Sequence, residues 1–162
     1  MITALQEIGA CEAPEVIALS APRTPQMGVR KLKILLIEDT DTDALLTSIT
    51  LESTEVPFEL TRLKRGDEVL LNLARMLRPH EKSDLIILDL GLPGLDGFDV
   101  LAEIAQMPAG IREIPIVILT AHSNFEYLGE SYPYLHIVEY VTKPCDPDLM
   151  REVLLRVRRS HN

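Results

Sequence analysis

Five residues stand where an apolar run of this sequence breaks off. Glu38 and Asp39 end "KLKILLIED", Asp89 ends "LIILD", Thr120 ends "IPIVILT", and Lys143 follows "HIVEYVT". Brought together, they would set three carboxylates, a hydroxyl and an ammonium around one crevice. Carboxylates a few ångström apart cannot all stay ionised uncompensated: one takes up a proton, or a cation binds. Mg²⁺ suits such a group, because it prefers oxygen ligands and keeps several waters beside one or two carboxylates and a phosphate. No His or Cys stands at these run ends, which disfavours zinc. Beside a bound cation, Asp89 is an ionised carboxylate able to attack phosphorus, as in aspartyl-phosphate enzymes. Mg²⁺ and Lys143 would stabilise the negative oxygens of the transferring group, and Thr120 could donate its hydroxyl to one of them. Gly91 leaves its backbone carbonyl free to ligate the metal and adds no bulk above Asp89. Each residue also has a plainer reading. Asp89 can cap the turn "GLPGLDG", Asp41 can cap a helix, and Thr120 and the Lys143-Pro144 turn are ordinary strand ends.

Chemistry at these positions requires elements that gather them. Within Asp84–Asp89 the four consecutive aliphatic residues Leu85–Leu88 read as a strand buried on both faces, Ile114–Thr120 reads as another buried strand, and Lys31–Ile37 as the first strand. Phe58–Leu63 alternates like a half-buried strand, and His136–Val141 reads as the last one. Between them come helices over about Thr42–Glu52, Gly66–Leu77, Gly97–Gln106, a short one opening at Ser123, and Pro147–Arg159. Their expected inner stripes are Leu45, Leu46 and Ile49 in the first, Phe98, Leu101 and Ala105 in the third, and Leu149, Val153, Leu154 and Val157 in the last. Five strands alternating with five helices make a doubly wound α/β domain with a parallel sheet. Right-handed crossovers leave the flavodoxin-like order 2-1-3-4-5 as the natural arrangement. In that order the carboxyl ends of all five strands share one edge. The first and third strands flank the switch point, so Glu38, Asp39 and Asp89 become neighbours.

Residues 1 to about 30 differ from the rest: Pro14, Pro22, Pro25 and Gly28 interrupt any period. They read as a flexible arm without a strand or long helix, in which "EVIALS" (Glu15–Ser20) could form a short helix or dock on a partner. With 162 residues, 46% of them hydrophobic, the chain has material for one domain with a real core. A net charge of −9, from 25 acidic against 16 basic residues, argues against nucleic acid as a partner. Arg151, Arg156, Arg158 and Arg159 read as a solvated face near a helix C-terminus. Two cysteines, Cys11 and Cys145, imply no disulfide framework. No apolar run reaches membrane-spanning length and no signal peptide opens the chain, so a cytoplasmic protein is expected.

Taken in order, "LLIED", "LIILDLGLPGLDG", "VILTA" and "YVTKP" resemble the motifs of two-component response-regulator receiver domains, over about residues 31 to 160. Any one is weak; four at these spacings are specific. By this resemblance Asp89 accepts a phosphoryl group from a phosphohistidine of a sensor histidine kinase or phosphotransfer protein. Glu38, Asp39, Asp89 and the Gly91 carbonyl hold Mg²⁺, Lys143 contacts the phosphate, and Thr120 and Tyr140 form the switch pair. The resemblance also implies a cis bond at Lys143-Pro144. The chain departs from the family before its last strand, where "SYPYLHIVEY" is bulky, and in the long loop "RPHEKSD" (Arg78–Asp84). Both features are similar to stand-alone receivers that partner phytochrome-type kinases. The chain ends at Asn162, straight after the last helix, so no effector domain is expected. Output then runs by docking or homodimerisation on the last-strand face, where Tyr127, Tyr132 and Tyr134 are candidate anchors. No enzymatic activity beyond self-phosphorylation and autodephosphorylation is expected.

Two rival readings come from other classes. A Mg-dependent phosphohydrolase of the haloacid dehalogenase type also uses a strand-end Asp, but needs a second Asp two residues on, where this chain has Gly91. A pseudo-receiver scaffold would not need the intact residue set.

Overall fold

The computed structural model describes residues 15–16, 30–92, 96–121 and 132–161. Its elements are β1 (Glu15–Val16), β2 (Leu32–Ile37), α1 (Asp41–Ser53), β3 (Phe58–Leu63), α2 (Gly66–Arg75), β4 (Leu85–Asp89), α3 (Gly97–Gln106), the single turn α4 (Ala109–Arg112), β5 (Ile116–Thr120), β6 (Ile137–Thr142) and α5 (Pro147–Ser160). The helix expected from Ser123, with His122 and Tyr127, lies outside the described residues. Among the described residues no helix is long and apolar enough to cross a membrane.

The five parallel strands run β3-β2-β4-β5-β6, the expected 2-1-3-4-5 order. β4 and β5 are buried along their whole length, as continuous apolar runs in a parallel sheet require. Alternate residues of the strands face opposite sides, so the core is double. Ile86, Leu88, Ile116 and Ile118 pack with Val69, Val100, Leu101 and Ile104 from α2 and α3. Leu85, Ile87, Val117 and Leu119 pack with Ala44, Leu51, Met150, Val153, Leu154 and Val157 from α1 and α5.

Two expectations need correction. The sheet has six strands, because Glu15 and Val16 pair antiparallel with Arg62 and Thr61 at the β3 edge. The first 30 residues therefore do contribute a strand; two residues carry no period that a sequence reading could register. The rest of that segment, Arg30 apart, lies outside the described residues.

The second correction concerns rotation of α1. Leu45, Leu46 and Ile49 are 54%, 49% and 50% exposed, while Ala44, Thr47, Ser48, Thr50 and Leu51 are buried. The inward stripe is the smaller one, at i, i+3, i+4 and i+7 from Ala44, and it lets α1 lie close to the sheet beside α5. Two of its buried hydroxyls find carbonyls: Ser48 Oγ donates to Ala44 at 2.8 Å and Thr50 Oγ1 to Cys145 at 3.4 Å. A smaller shift of the same kind occurs in α3, where Val100 and Ile104 join Leu101 inside and Phe98 is exposed. In α5, Met150 joins Val153, Leu154 and Val157 among the buried residues, and Leu149 is only partly covered.

Register then sets the functional edge. Ile37 pairs with Leu88, Asp89 with Leu119, and Thr120 with Thr142. The residues that follow or close these strands emerge side by side.

Candidate functional site

The loop after β2 carries the first two carboxylates. Glu38 is fully buried; its Oε1 accepts from the Thr40 backbone N–H at 3.0 Å and its Oε2 from Lys143 Nζ at 2.6 Å. Burial pushes its pKa up, and the Lys143 hydrogen bond offsets only part of that. Asp89, the last residue of β4, is also buried. Its Oδ1 accepts from the Gly91 backbone N–H at 3.0 Å and its Oδ2 from Lys143 Nζ at 2.8 Å. An apolar strand can end on this carboxylate because both oxygens have donors waiting.

Gly91 and Gly97 explain the glycines of that turn differently. A Cβ at Gly91 would sit 3.6 and 3.7 Å from the Asp89 oxygens, ordinary contact, but would stand against the carboxylate. A Cβ at Gly97 would lie 2.6 Å from Leu90 Cα and 2.8 Å from the Asp89 carbonyl oxygen. Only glycine lets α3 begin this close to the chain leaving β4. Asp96 caps that helix, accepting from Phe98 N–H at 3.2 Å.

Lys143 follows β6 and is the hub of the site. Its ammonium reaches Glu38, Asp89 and, at 2.8 Å, Asp43 Oδ2. Burial alone would lower its pKa, but the hydrogen bonds to Asp43, Asp89 and Glu38 outweigh that and hold it well above its ordinary value. Lys143 stays charged. Its backbone N–H donates to the Thr120 carbonyl at 2.9 Å, which ties the end of β5 to the site, and the Lys143-Pro144 bond is cis. Thr120 itself is buried at that strand end. Tyr140 packs against the α2/α3 core cluster with its hydroxyl oxygen buried, and burial raises its pKa.

One oxygen from each of Glu38, Asp39 and Asp89 lies within 4.8 Å of the others. Three hard oxygen donors on one crevice, with no thiol or imidazole among them, fit a magnesium ion rather than zinc. The seven expected site residues are therefore placed as follows. Glu38, Asp39, Asp89, Gly91 and Lys143 come together, Thr120 stands at the adjoining strand end, and Tyr140 lies on the neighbouring edge strand against the core.

Two contributors escaped the sequence reading. Asp43, in the first turn of α1, is the third carboxylate on Lys143. Arg62, near the end of β3, is 4% exposed. Its Nε donates to the Glu38 carbonyl at 2.9 Å, its Nη2 to the Asp39 carbonyl at 3.0 Å and its Nη1 to Asp41 Oδ1 at 2.6 Å. A signal for Arg62 was present: in "FELTRL" the two-residue period puts it on the buried face with Leu60, where a guanidinium needs acceptors. Burial and then the Asp146 charge push the Cys145 thiol up to about 11, which disfavours its reactive thiolate form.

The fold and this acidic strand-end crevice define a class, and comparison with known proteins agrees. The pattern described as "Response regulator receiver domain" matches residues 34–155. Response regulator Rcp1 of Synechocystis is 38% identical over 112 residues, 68% of this chain and 75% of its own. Among solved structures, the phosphorylated cyanobacterial phytochrome response regulator RcpA is 33% identical with a TM-score of 0.59, over 79% of this chain and 91% of its own. The receiver domain of the sensor histidine kinase PA1611 from Pseudomonas aeruginosa PAO1, which holds a magnesium ion in its active-site cleft, is 26% identical with a TM-score of 0.63, over 80% and 98%. The chain belongs to the response regulator receiver family and is a receiver domain of two-component signalling.

Proposed function

We propose that this receiver accepts a phosphoryl group on Asp89 from a phosphohistidine, in a Mg²⁺-dependent step, and that phosphorylation alters a docking surface. The observation that carries this is the convergence on Asp89: Lys143 Nζ at 2.8 Å, and the Glu38 and Asp39 oxygens within 4.8 Å of its own. An oxygen of Asp89 forms a bond to phosphorus while the bond from phosphorus to the imidazole nitrogen breaks and the imidazole departs with the electron pair. The ion, held by Glu38, Asp39, Asp89 and the Gly91 carbonyl, would supply charge neutralisation at the phosphoryl oxygens. Lys143, with Nζ 2.8 Å from Asp89 Oδ2, is placed to stabilise the oxygens on which negative charge develops. Thr120 donates its hydroxyl to one of them. No catalysis beyond this self-phosphorylation and its reversal is proposed.

The partner of this reading is a sensor histidine kinase or a phosphotransfer protein, in the cytoplasm. Likeness to a protein described as a phytochrome response regulator favours a kinase of phytochrome type. Output on the β6 side is supported by a partly exposed edge strand, Ile137–Tyr140, and by Tyr134, 78% exposed. A homodimer through this face is the simplest product. The test is incubation with acetyl phosphate and Mg²⁺ followed by intact mass. One added phosphoryl group per chain, absent in excess chelator, is expected; equal incorporation in chelator contradicts the metal's part, and none in either contradicts the phosphoacceptor.

A further inference from the structure

We propose that Arg62 is a positioning residue for the metal site: its buried guanidinium holds the Glu38–Asp39 backbone in the one arrangement that lets both carboxylates reach a common cation. The inference rests on the reading of the acidic crevice as a magnesium site.

Three of the donors of one rigid fork meet a segment of four residues, the carbonyls of Glu38 and Asp39 and the carboxylate of Asp41. A second bond from the same strand end secures the segment, since the Glu38 backbone N–H donates to the Leu63 carbonyl at 3.0 Å. Arg62 thus grips the backbone that carries two metal ligands. Burying a guanidinium is costly unless its donors are met, so the strand can hold Arg62 only while the loop keeps this shape. Loop and side chain specify each other. Asp41 is the exposed end of the clamp; the Arg62 guanidinium, with Lys64 at 3.2 Å, holds its carboxyl below the usual range.

Charge and positioning make opposite claims about metal binding. As a bare cation near the crevice, Arg62 would repel Mg²⁺, so removing it should tighten binding. As the support of the ligand-bearing loop, its loss should weaken binding, by about 10-fold on the scale typical of groups that orient metal ligands.

The experiment titrates Mg²⁺ into the full chain by calorimetry, for wild type, Arg62→Lys and Arg62→Met, with thermal unfolding of each metal-free protein. Arg62→Lys keeps the charge, but a single ammonium cannot bridge three acceptors; Arg62→Met keeps the apolar stem alone. The expected result is a Kd about 10-fold higher in both variants. An unchanged or lower Kd in Arg62→Met overturns the inference, whatever the fall in melting temperature, and reduces Arg62 to a support of the sheet. Should Arg62→Met not fold, Arg62→Lys decides alone: a wild-type Kd there means that charge, not the fork, is what matters. A wild type that binds no Mg²⁺ removes the magnesium reading itself, an outcome distinct from a bound wild type with indifferent variants.

Discussion

At the scale of single residues, the site is a problem in charge compensation solved by Lys143. One ammonium serves Glu38, Asp43 and Asp89, and all of them sit at strand or helix ends. Removing it leaves carboxylates packed without a counter-charge. Lys143→Met is therefore expected to lower the melting temperature of the metal-free protein by several degrees, with added Mg²⁺ restoring part of the loss. Calorimetry with and without the ion checks this. Cys145 gives a test by pH. Its thiol, raised to about 11, favours the protonated form in the folded state. Its contribution to stability is full below the ordinary value of 9.0 and is lost as pH rises from there towards 11. In a Cys11→Ser background, alkylation of Cys145 should be much slower than that of a free thiol at pH 8 and should climb steeply towards pH 11; reaction at the free-thiol rate at pH 8 would contradict it. The strand-end residues were legible because each closes an apolar run and the topology fixes where those runs end. Asp43 was not, since its partner stands 100 positions away in the chain; for Arg62 the strand period signalled a buried guanidinium, but its acceptor at Glu38, 24 positions away, is set only by the folded register.

Among the elements, α1 teaches most. Its sequence offers two stripes of helical period, a bulky one of Leu45, Leu46 and Ile49 and a small one through Ala44, Thr47, Ser48 and Leu51. Hydrophobicity favours the first, yet the helix buries the second. A helix that must lie close to a sheet and to α5 gains more from close approach than from bulk, and the same rotation brings Asp43 onto Lys143. No periodicity count can weigh those two demands. Substitution can: Leu51→Ala should cost about 2–5 kcal/mol in unfolding free energy. Leu46→Ala should change it by about 0.5 kcal/mol or less. A large loss at Leu46 would mean that the bulky stripe is covered in solution. The strands were the opposite case. Leu85–Asp89 and Ile116–Thr120 are buried on both faces, so an unbroken apolar run had one reading and their order followed from right-handed crossovers.

For the whole molecule, the proposed function puts chemistry and output on one sheet. Thr120 ends β5 beside the crevice, and Tyr140 lies on β6, the neighbouring edge strand. On the proposed reading, drawing the Thr120 hydroxyl to a new phosphoryl oxygen would free space beside Tyr140, and the β6 face would repack between states already in equilibrium. Thr120→Ala should still be phosphorylated but should show a weaker change in association; sedimentation with and without beryllofluoride measures it, and a full response in the variant would place the switch elsewhere. The most direct test of the account is where the phosphoryl group goes. Acetyl phosphate and Mg²⁺ are added, the acyl phosphate is reduced with borohydride, and the modified residue is read by peptide mass spectrometry. The account requires homoserine at position 89 and nowhere else; a modified residue at any other position, or an untouched Asp89 in a protein shown to have gained a phosphoryl group, would contradict it.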